Sequence, residues 1–255
     1  VKLVIGCPVY KRDWILPLWI KYVKSQGLNF KDVGFVFEVS PDDEKTVSIL
    51  KQWRDADKSL GLFDINTRDD IAHFSHRDNG RQWTLSKYEN MVSLRNSILN
   101  RVREISPDYY FSLDSDIILT NPNTIRLLTS HIDDGANAVS PLMFMTPVGT
   151  KYPSVMTWRK DDPNRAYRES DYPLGTYFKS DVIMAAKMMS KDVYENVDYS
   201  VHRQGEDVGW SLSCREKGFS LYSASYIYSV HVMSELALED ISKNGDTRER
   251  VLQSI

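Results

Sequence analysis

Two carboxylates one residue apart, Asp114 and Asp116, follow directly on the apolar run Tyr109-Tyr110-Phe111-Ser112-Leu113. Hard divalent cations such as Mn2+ and Mg2+ prefer oxygen ligands, and a phosphate-bearing ligand brings oxygens of its own, so a protein need supply only a few. An Asp-Ser-Asp segment also makes an ordinary surface turn. Its place after a hydrophobic strand gives it weight, because ligands of open α/β sheets bind beyond the carboxyl ends of the strands. Arg95, beside Asn96 in a helical stretch upstream, is either a solvated surface residue or a guanidinium that meets a diphosphate or holds the aspartates in place. Glu206 and Asp207 follow Gly205 at the start of another helical pattern. Carboxylates there suit the helix dipole, and Asp207 equally suits a general base that takes a proton from a hydroxyl. His231 closes the run Tyr226-Ile227-Tyr228-Ser229-Val230, where a neutral imidazole can complete a metal shell.

The elements that must hold these residues follow from hydrophobic periodicity. Residues 3–9 and 33–39 are short β-branched runs ended by turn residues, and both read as strands, with a shorter one at 62–66. Residues 14–25, 44–53 and 84–104 carry apolar side chains at helical spacing. The strand at 109–113 then delivers the aspartates. Strands alternating with helices imply a mostly parallel sheet covered on both faces. After residue 120 the rhythm changes: helix at 123–130, strand at 136–145, a long polar stretch at 146–171, strand at 175–183, helices at 190–196 and 207–218, strand at 221–230 and a helical or frayed tail. A loop as long as 146–171 is more often functional than idle, and it reads as a lid that excludes water. The polar segment 69–82 reads as a surface loop.

The order of strand then Pro8-Val9-Tyr10-Lys11-Arg12, strand then Ser40-Pro41-Asp42-Asp43, Arg95-Asn96, Leu113-Asp114-Ser115-Asp116, Gly205-Glu206-Asp207 and His231 resembles the glycosyltransferases of the GT-A fold, in a pattern similar to their family 2. The stretches 189–197, 205–208 and 215–219 look like that family's acceptor side. The resemblance implies an α/β fold with a Rossmann-like central sheet. It implies one domain over 1–255, with a nucleotide-sugar half at 1–120 and an acceptor half at 121–255. It implies that Pro8, Val9 and Tyr10 flank the base, that Asp42 or Asp43 meets base or ribose, and that Arg12, Arg95, Asp114, Ser115 and Asp116 face the diphosphate. Asp116, His231 and Asp114 are then the metal ligands, for Mn2+ or Mg2+, and Glu206 and Asp207 stand at the acceptor hydroxyl. The donor is UDP- or GDP-linked, with UDP favoured, and transfer inverts the anomeric centre with Asp207 as base. Arg159 and Lys160 add positive charge to the leaving group. One departure is Glu38 near the end of the second strand, where Asp or Asn is expected; Glu38 stands in for it. Segments 69–82 and 152–172 are not generic features of the family.

Composition bounds these readings. The chain has 255 residues, a formal net charge of −3 and two cysteines. That balance gives no general attraction to nucleic acid or anionic membrane. Cys7 and Cys214 lack metal or redox spacing and read as small buried hydrophobes, a usage that suits the cytoplasm. No apolar run approaches the roughly 20 residues that span a bilayer, and the opening residues are too short and β-branched for a signal peptide. Two rival functions remain. A nucleotidyltransferase also pairs aspartates with metal, but residues 6–12 hold a single glycine where a triphosphate-gripping loop is Gly-rich. A nucleotide- or carbohydrate-binding module without turnover is the second, and the presence of Asp114, Asp116, Asp207 and His231 together argues against it. The acceptor is a glycan, a protein side chain or a modified DNA base; the basic and aromatic residues between Tyr152 and Arg168 suit a nucleic acid strand, and the acidic ones among them weaken it.

Overall fold

The computed structural model describes residues 1–68, 84–145, 154, 156–168 and 172–244. In its first half β1 (Leu3–Val9), α1 (Leu16–Lys24), β2 (Val33–Val39), α2 (Glu44–Ala56), β3 (Phe63–Thr67), α3 (Leu85–Ile105) and β4 (Tyr109–Leu113) alternate as the periodicity requires. The second half holds β5 (Ile117–Ile118), α4 (Thr124–Asp133), β6 (Ala138–Met145), β7 (Met156–Trp158), β8 (Ala166–Arg168), β9 (Tyr177–Ser180), β10 (Ala186–Ser190), α5 (Lys191–Asn196), α6 (Glu206–Glu216), β11 (Leu221–His231) and α7 (Glu235–Asn244). One sheet runs through both halves in the order β3-β2-β1-β4-β10-β6-β11-β5, with β9 on β11. Strands β1 to β4, β6 and β11 share one direction; β5, β9 and β10 oppose them.

The sheet is buried on both faces, which is why β1, β2 and β4 read as continuous apolar runs rather than alternating ones. On one face Leu16 and Trp19 of α1, Leu50 and Trp53 of α2, and Ile125 and Leu128 of α4 pack against Ile5, Phe35, Phe37 and Phe111. Here Trp53 meets Phe35 edge-on at 4.8 Å between ring centroids. On the other face Ile98, Leu99 and Val102 of α3, Val193 and Tyr194 of α5, and Trp210 and Cys214 of α6 cover Val4, Val36, Tyr110 and Met189. Pleating therefore turns the even-numbered residues at the ends of β2 and β4, Glu38 and Ser112, toward α3. Both cysteines are free and buried, as small hydrophobes. Among the described residues no helix is long and apolar enough to cross a membrane.

Three elements differ from the sequence expectation. Strand β10 was not anticipated, because its run carries Lys187 and no β-branched residue; it inserts antiparallel between β4 and β6. The two-residue β5 is too short for any periodicity to show. The stretch 146–171 was expected as a lid, yet its described part is the hairpin β7–β8, fastened to the chain just before α6. Gln204 pairs with Ala166 in both directions, Nε2 donating at 2.8 Å and Oε1 accepting at 2.9 Å. Arg203 meets Asp162 at 2.7 Å, and Arg215 donates to the Pro163 carbonyl at 2.8 Å. Residues 156–168 are thus tied to residues 203, 204 and 215, just before and within α6, by side-chain contacts. The segment 69–82 lies outside the described residues.

Helix α6 approaches the chain before it as closely as backbone allows. A Cβ placed on Gly209 would lie 2.1 Å from the Ser200 carbonyl oxygen. Gly209→Ala is therefore expected to cost about 1–3 kcal/mol in urea unfolding. An unchanged midpoint would show that the two segments separate freely.

Candidate functional site

The carboxyl ends of β1 and β4 lie side by side, since the two strands pair in parallel. The turn after β4 is pinned from several directions. The Asp114 N–H donates to the Ala185 carbonyl at 2.9 Å, the Asp114 carbonyl accepts from Trp19 Nε1 at 3.1 Å, and Ser115 Oγ donates to the Pro8 carbonyl at 3.3 Å. With the turn fixed, its two carboxylates diverge. Asp116 accepts from Arg12 Nη2 at 3.0 Å on one oxygen and lies 3.3 Å from His231 Nε2 on the other. His231 reaches it because the end of β11 pairs with β5, placing His231 opposite Ile117, and the Val232 N–H donates to the Asp116 carbonyl at 2.9 Å. Asp114 faces the opposite way, toward α3.

There it meets Arg95, whose side chain is 1% exposed. Nη2 of Arg95 lies 2.9 and 3.0 Å from the two Asp114 oxygens, Nε donates to Glu206 at 3.1 Å, Nη1 donates to Ser112 Oγ at 3.3 Å, and Asp207 stands 4.0 Å away. The neighbouring Asn96 anchors the helix to Tyr199, its amide donating to the Tyr199 carbonyl at 3.0 Å and accepting from the Tyr199 N–H at 2.8 Å. Glu206 and Asp207 open α6 behind Gly205, whose φ of 120° is a backbone conformation that side-chain-bearing residues rarely adopt. Asp207 accepts from the Ala185 N–H at 3.0 Å and from the ammonium of Lys187 on β10. Lys187 is fully buried and sits over the rings of Tyr199 and Trp210, at 4.9 and 5.1 Å.

These environments push the three carboxyls apart. Burial raises Glu206 above the ordinary range, and Asp207 adds to that. Burial likewise raises Asp114, partly offset by Arg95. Burial acts on Asp207 too, but Lys187 and Arg95 outweigh it and hold that carboxyl below the usual range. Asp207 is thus the member of the cluster that keeps its charge most readily.

Other expected residues take different places. Glu38 is buried and accepts from Ser97 Oγ at 2.7 Å and Asn66 Nδ2 at 3.4 Å, on the α3 side of the sheet. Asp43 caps α2, accepting from the Thr46 N–H at 3.3 Å, whereas Asp42 is exposed and accepts from Ser40 Oγ. Pro8 and Tyr10 are half-buried and Val9 is buried at the end of β1. Arg159 pairs with Asp161 at 2.7 Å inside the β7–β8 hairpin, and Lys160 is exposed there. Sequence reasoning missed Lys187, Tyr199 and Ser112. A lysine amid Ala186, Met188 and Met189 was the available signal, since an apolar run tolerates a cation only where something pairs with it.

For a divalent cation, Asp116 and His231 offer a convergent carboxylate oxygen and imidazole nitrogen, both suited to Mn2+. Among the described residues no group of three or more His, Cys, Asp or Glu side chains gathers to hold a metal. Asp114, expected as a third ligand, is engaged by Arg95 instead. The residues present fit a cation that shares its shell with oxygens brought by a ligand.

Removing the guanidinium leaves buried carboxylates unpaired. Arg95→Met is expected to cost about 3–5 kcal/mol near neutrality. A carboxyl raised on folding contributes stability that is present below its ordinary value of 4.5 for Glu206 and lost as pH rises. The deficit should therefore shrink toward acid and grow toward neutral pH in urea midpoints; a deficit independent of pH would contradict the arrangement.

Comparison with known proteins agrees with the fold. Residues 3–160 match the family described as glycosyltransferase family 25, N-terminal domain, where the sequence pattern had suggested a family 2-like member. A glycosyltransferase 25 family member of Aedes aegypti is 25% identical over 130 residues, covering 51% of this chain and 21% of its own length. Procollagen galactosyltransferase 1-A of Xenopus laevis is 30% identical over 101 residues, 39% of this chain and 16% of its own. The chain thus spans about a fifth of the length of these curated relatives. Among solved structures, GalNAc-T7 with UDP, GalNAc and Mn2+ superposes with a TM-score of 0.62 at 12% identity, over 91% of this chain and 44% of that one. S. aureus TarS 1–349 with UDP-GlcNAc gives 0.59 at 10%, over 92% and 59%. The mannosyltransferase PcManGT of Pyrobaculum calidifontis with GDP-Man and Mn2+ gives 0.57 at 11%, over 90% and 56%. Such identities show the fold alone, which is GT-A. Glu206, Asp207 and His231 lie beyond the family match and stand on geometry. With more than half of its residues matched by that family, the chain belongs to glycosyltransferase family 25.

Proposed function

We propose that this chain is a metal-dependent glycosyltransferase that takes a sugar from a nucleotide-diphosphate donor, UDP-linked before GDP-linked, and passes it with inversion to an acceptor hydroxyl. One observation carries the reading: Asp114 and Asp116, at the carboxyl end of β4, face opposite ways, one toward Arg12 and His231, the other toward Arg95, Glu206 and Asp207. A donor with its diphosphate at the first group and its sugar toward the second would be held at the end of a parallel sheet, where such ligands sit. The UDP complexes of two structural neighbours favour UDP.

In this reading Pro8, Val9 and Tyr10 flank the base, with Tyr10 stacking on it, and Asp42 or Glu38 meets base or ribose. Asp116 and His231 hold Mn2+ or Mg2+, which when bound supplies positive charge to the departing diphosphate. Arg12 leaves Asp116 for the diphosphate, and Ser115 keeps the turn in register. The acceptor oxygen bonds to the anomeric carbon as the bond to the diphosphate breaks, and its proton passes to Asp207. Each Asp207 oxygen holds one donor in the structure, which leaves each a second lone pair. Arg95 keeps Glu206 and Asp114 from repelling that anion.

The hairpin 156–168 supports an acceptor wall. Arg159 is paired with Asp161, and Asp162 with Arg203 from outside the hairpin, so part of its charge is neutralised in place, which disfavours a nucleic acid strand. Because relatives are named procollagen galactosyltransferases, hydroxyl-bearing peptides and a galactose donor head the panel to be tried.

Thermal shift with UDP and Mn2+, against the same with chelator, tests the donor site. Asp116→Ala should lose the metal-dependent part of the shift. Asp207→Asn should keep the shift and lose about 100- to 10,000-fold in kcat, because an amide accepts no proton. Full transfer by Asp207→Asn would overturn the base, and binding without turnover in the unaltered chain would favour a binding module.

A further inference from the structure

Lys187 has no part in the mechanism above, yet among the described residues it is the most completely buried cation. It is the second residue of β10, opposite Ser112 of β4, on the face covered by α3 and α6. Its ammonium contacts the Asp207 carboxylate and is otherwise enclosed by the faces of Tyr199 and Trp210. Two ring quadrupoles replace part of the lost hydration. A buried ion pair adds little net stability over apolar side chains of the same volume, so packing alone gives no reason for an ammonium among Ala186, Met188 and Met189.

The rest of the neighbourhood gives one. Facing Asp207 are Lys187 from β10, the Ala185 N–H before it, Arg95 from α3, Asp114 beyond β4, Glu206 beside it on α6, and Tyr199. Arg95 is spent on Asp114 and Glu206 at 2.9 and 3.1 Å and stands 4.0 Å from Asp207. Lys187 contacts Asp207 alone among the carboxylates of this cluster. Tyr199 Oη donates to Ser112 Oγ at 3.2 Å, which keeps its ring flat beneath both cations, with Arg95 5.4 Å from the centroid.

We infer that Lys187 is a positioning residue for transfer: its buried ammonium, clamped between Tyr199 and Trp210, fixes the orientation of the Asp207 carboxylate and holds it as the anion of the cluster. The inference rests on the proposed role of Asp207 as base. The proton of the acceptor goes to Asp207 and not to Lys187, which stays cationic throughout. Burial also raises Glu206, the neighbour of Asp207 on α6, so without Lys187 the charge would be shared between these two carboxyls instead of resting on one.

The test uses Lys187→Met and Lys187→Arg. Carboxyl 13C titration, with the Asp207 signal assigned by its absence in Asp207→Asn, reads the anion without any donor. The Asp207 midpoint should lie below the ordinary carboxylate value in the unaltered chain, rise by about one unit or more in Lys187→Met, and return part of the way in Lys187→Arg. With UDP-sugar and Mn2+, Lys187→Met should keep the donor KM within about threefold, lose about 100-fold in kcat, and show its acid limb at higher pH. An unmoved Asp207 midpoint, or wild-type kcat in folded Lys187→Met, would overturn the proposal. Should Lys187→Met not fold, an ordinary or raised Asp207 midpoint in the unaltered chain would do the same. A titration that behaves as expected in a chain with no donor binding would instead sink the transferase reading, and the catalytic role of Lys187 with it.

Discussion

The guanidinium of Arg95 is the point from which the site is built. It is buried between two halves of the molecule, with Asp114 beyond β4 on one side and Glu206 at the start of α6 on the other. Three carboxylates cannot be gathered in a dry interior without countercharge, since desolvation and mutual repulsion would protonate or expel them. A planar cation with several fixed donors satisfies two of them at once and Ser112 as well. Asn96, one residue along, ties the same helix to Tyr199. The pair Arg95-Asn96 thus locks α3 to both the strand end and the segment leading into α6.

That lock makes sense of how one short turn serves two directions. Asp114 and Asp116 are separated by a single residue, but Ser115 is tied to Pro8 and the turn closes between them. One carboxylate is then committed to the interior and the other to Arg12 and His231 at the sheet's end. Asp114 is paired with the buried Arg95, whereas Asp116 meets an arginine from the loop after β1 and an imidazole. The two acids are given different surroundings by geometry, not by residue type.

The second half of the chain supplies what the first cannot. Strand β10, running against its neighbours, sets Lys187 beside Ser112 and brings the Ala185 N–H to Asp207. The hairpin 156–168 is fastened through Gln204 two residues ahead of Glu206, which ties it to the chain that carries the carboxylates. Strand β11 ends beside β5 and returns His231 to the turn after β4.

The alternation of strands and helices up to Leu113 was legible because both periodicities are local: apolar runs of about seven residues between turn signals, and side chains repeating every three to four. The aspartates stood out for the same reason, since a strand that ends in acids is visible in a few residues. Arg95, Glu206, Asp207 and His231 were recognisable as candidates from their type and order along the chain. Their partners were not. Strand β10 escaped notice because it is short, lacks β-branched residues and carries a lysine, so its place depends on the slot between β4 and β6 and not on its own propensity. Which acid pairs with Arg95, that Asp116 instead meets Arg12 and His231, and that Lys187 belongs to Asp207 were decided only in the fold. Those contacts join residues far apart in sequence, and their energies arise from burial and charge that exist only once the sheet has closed over them.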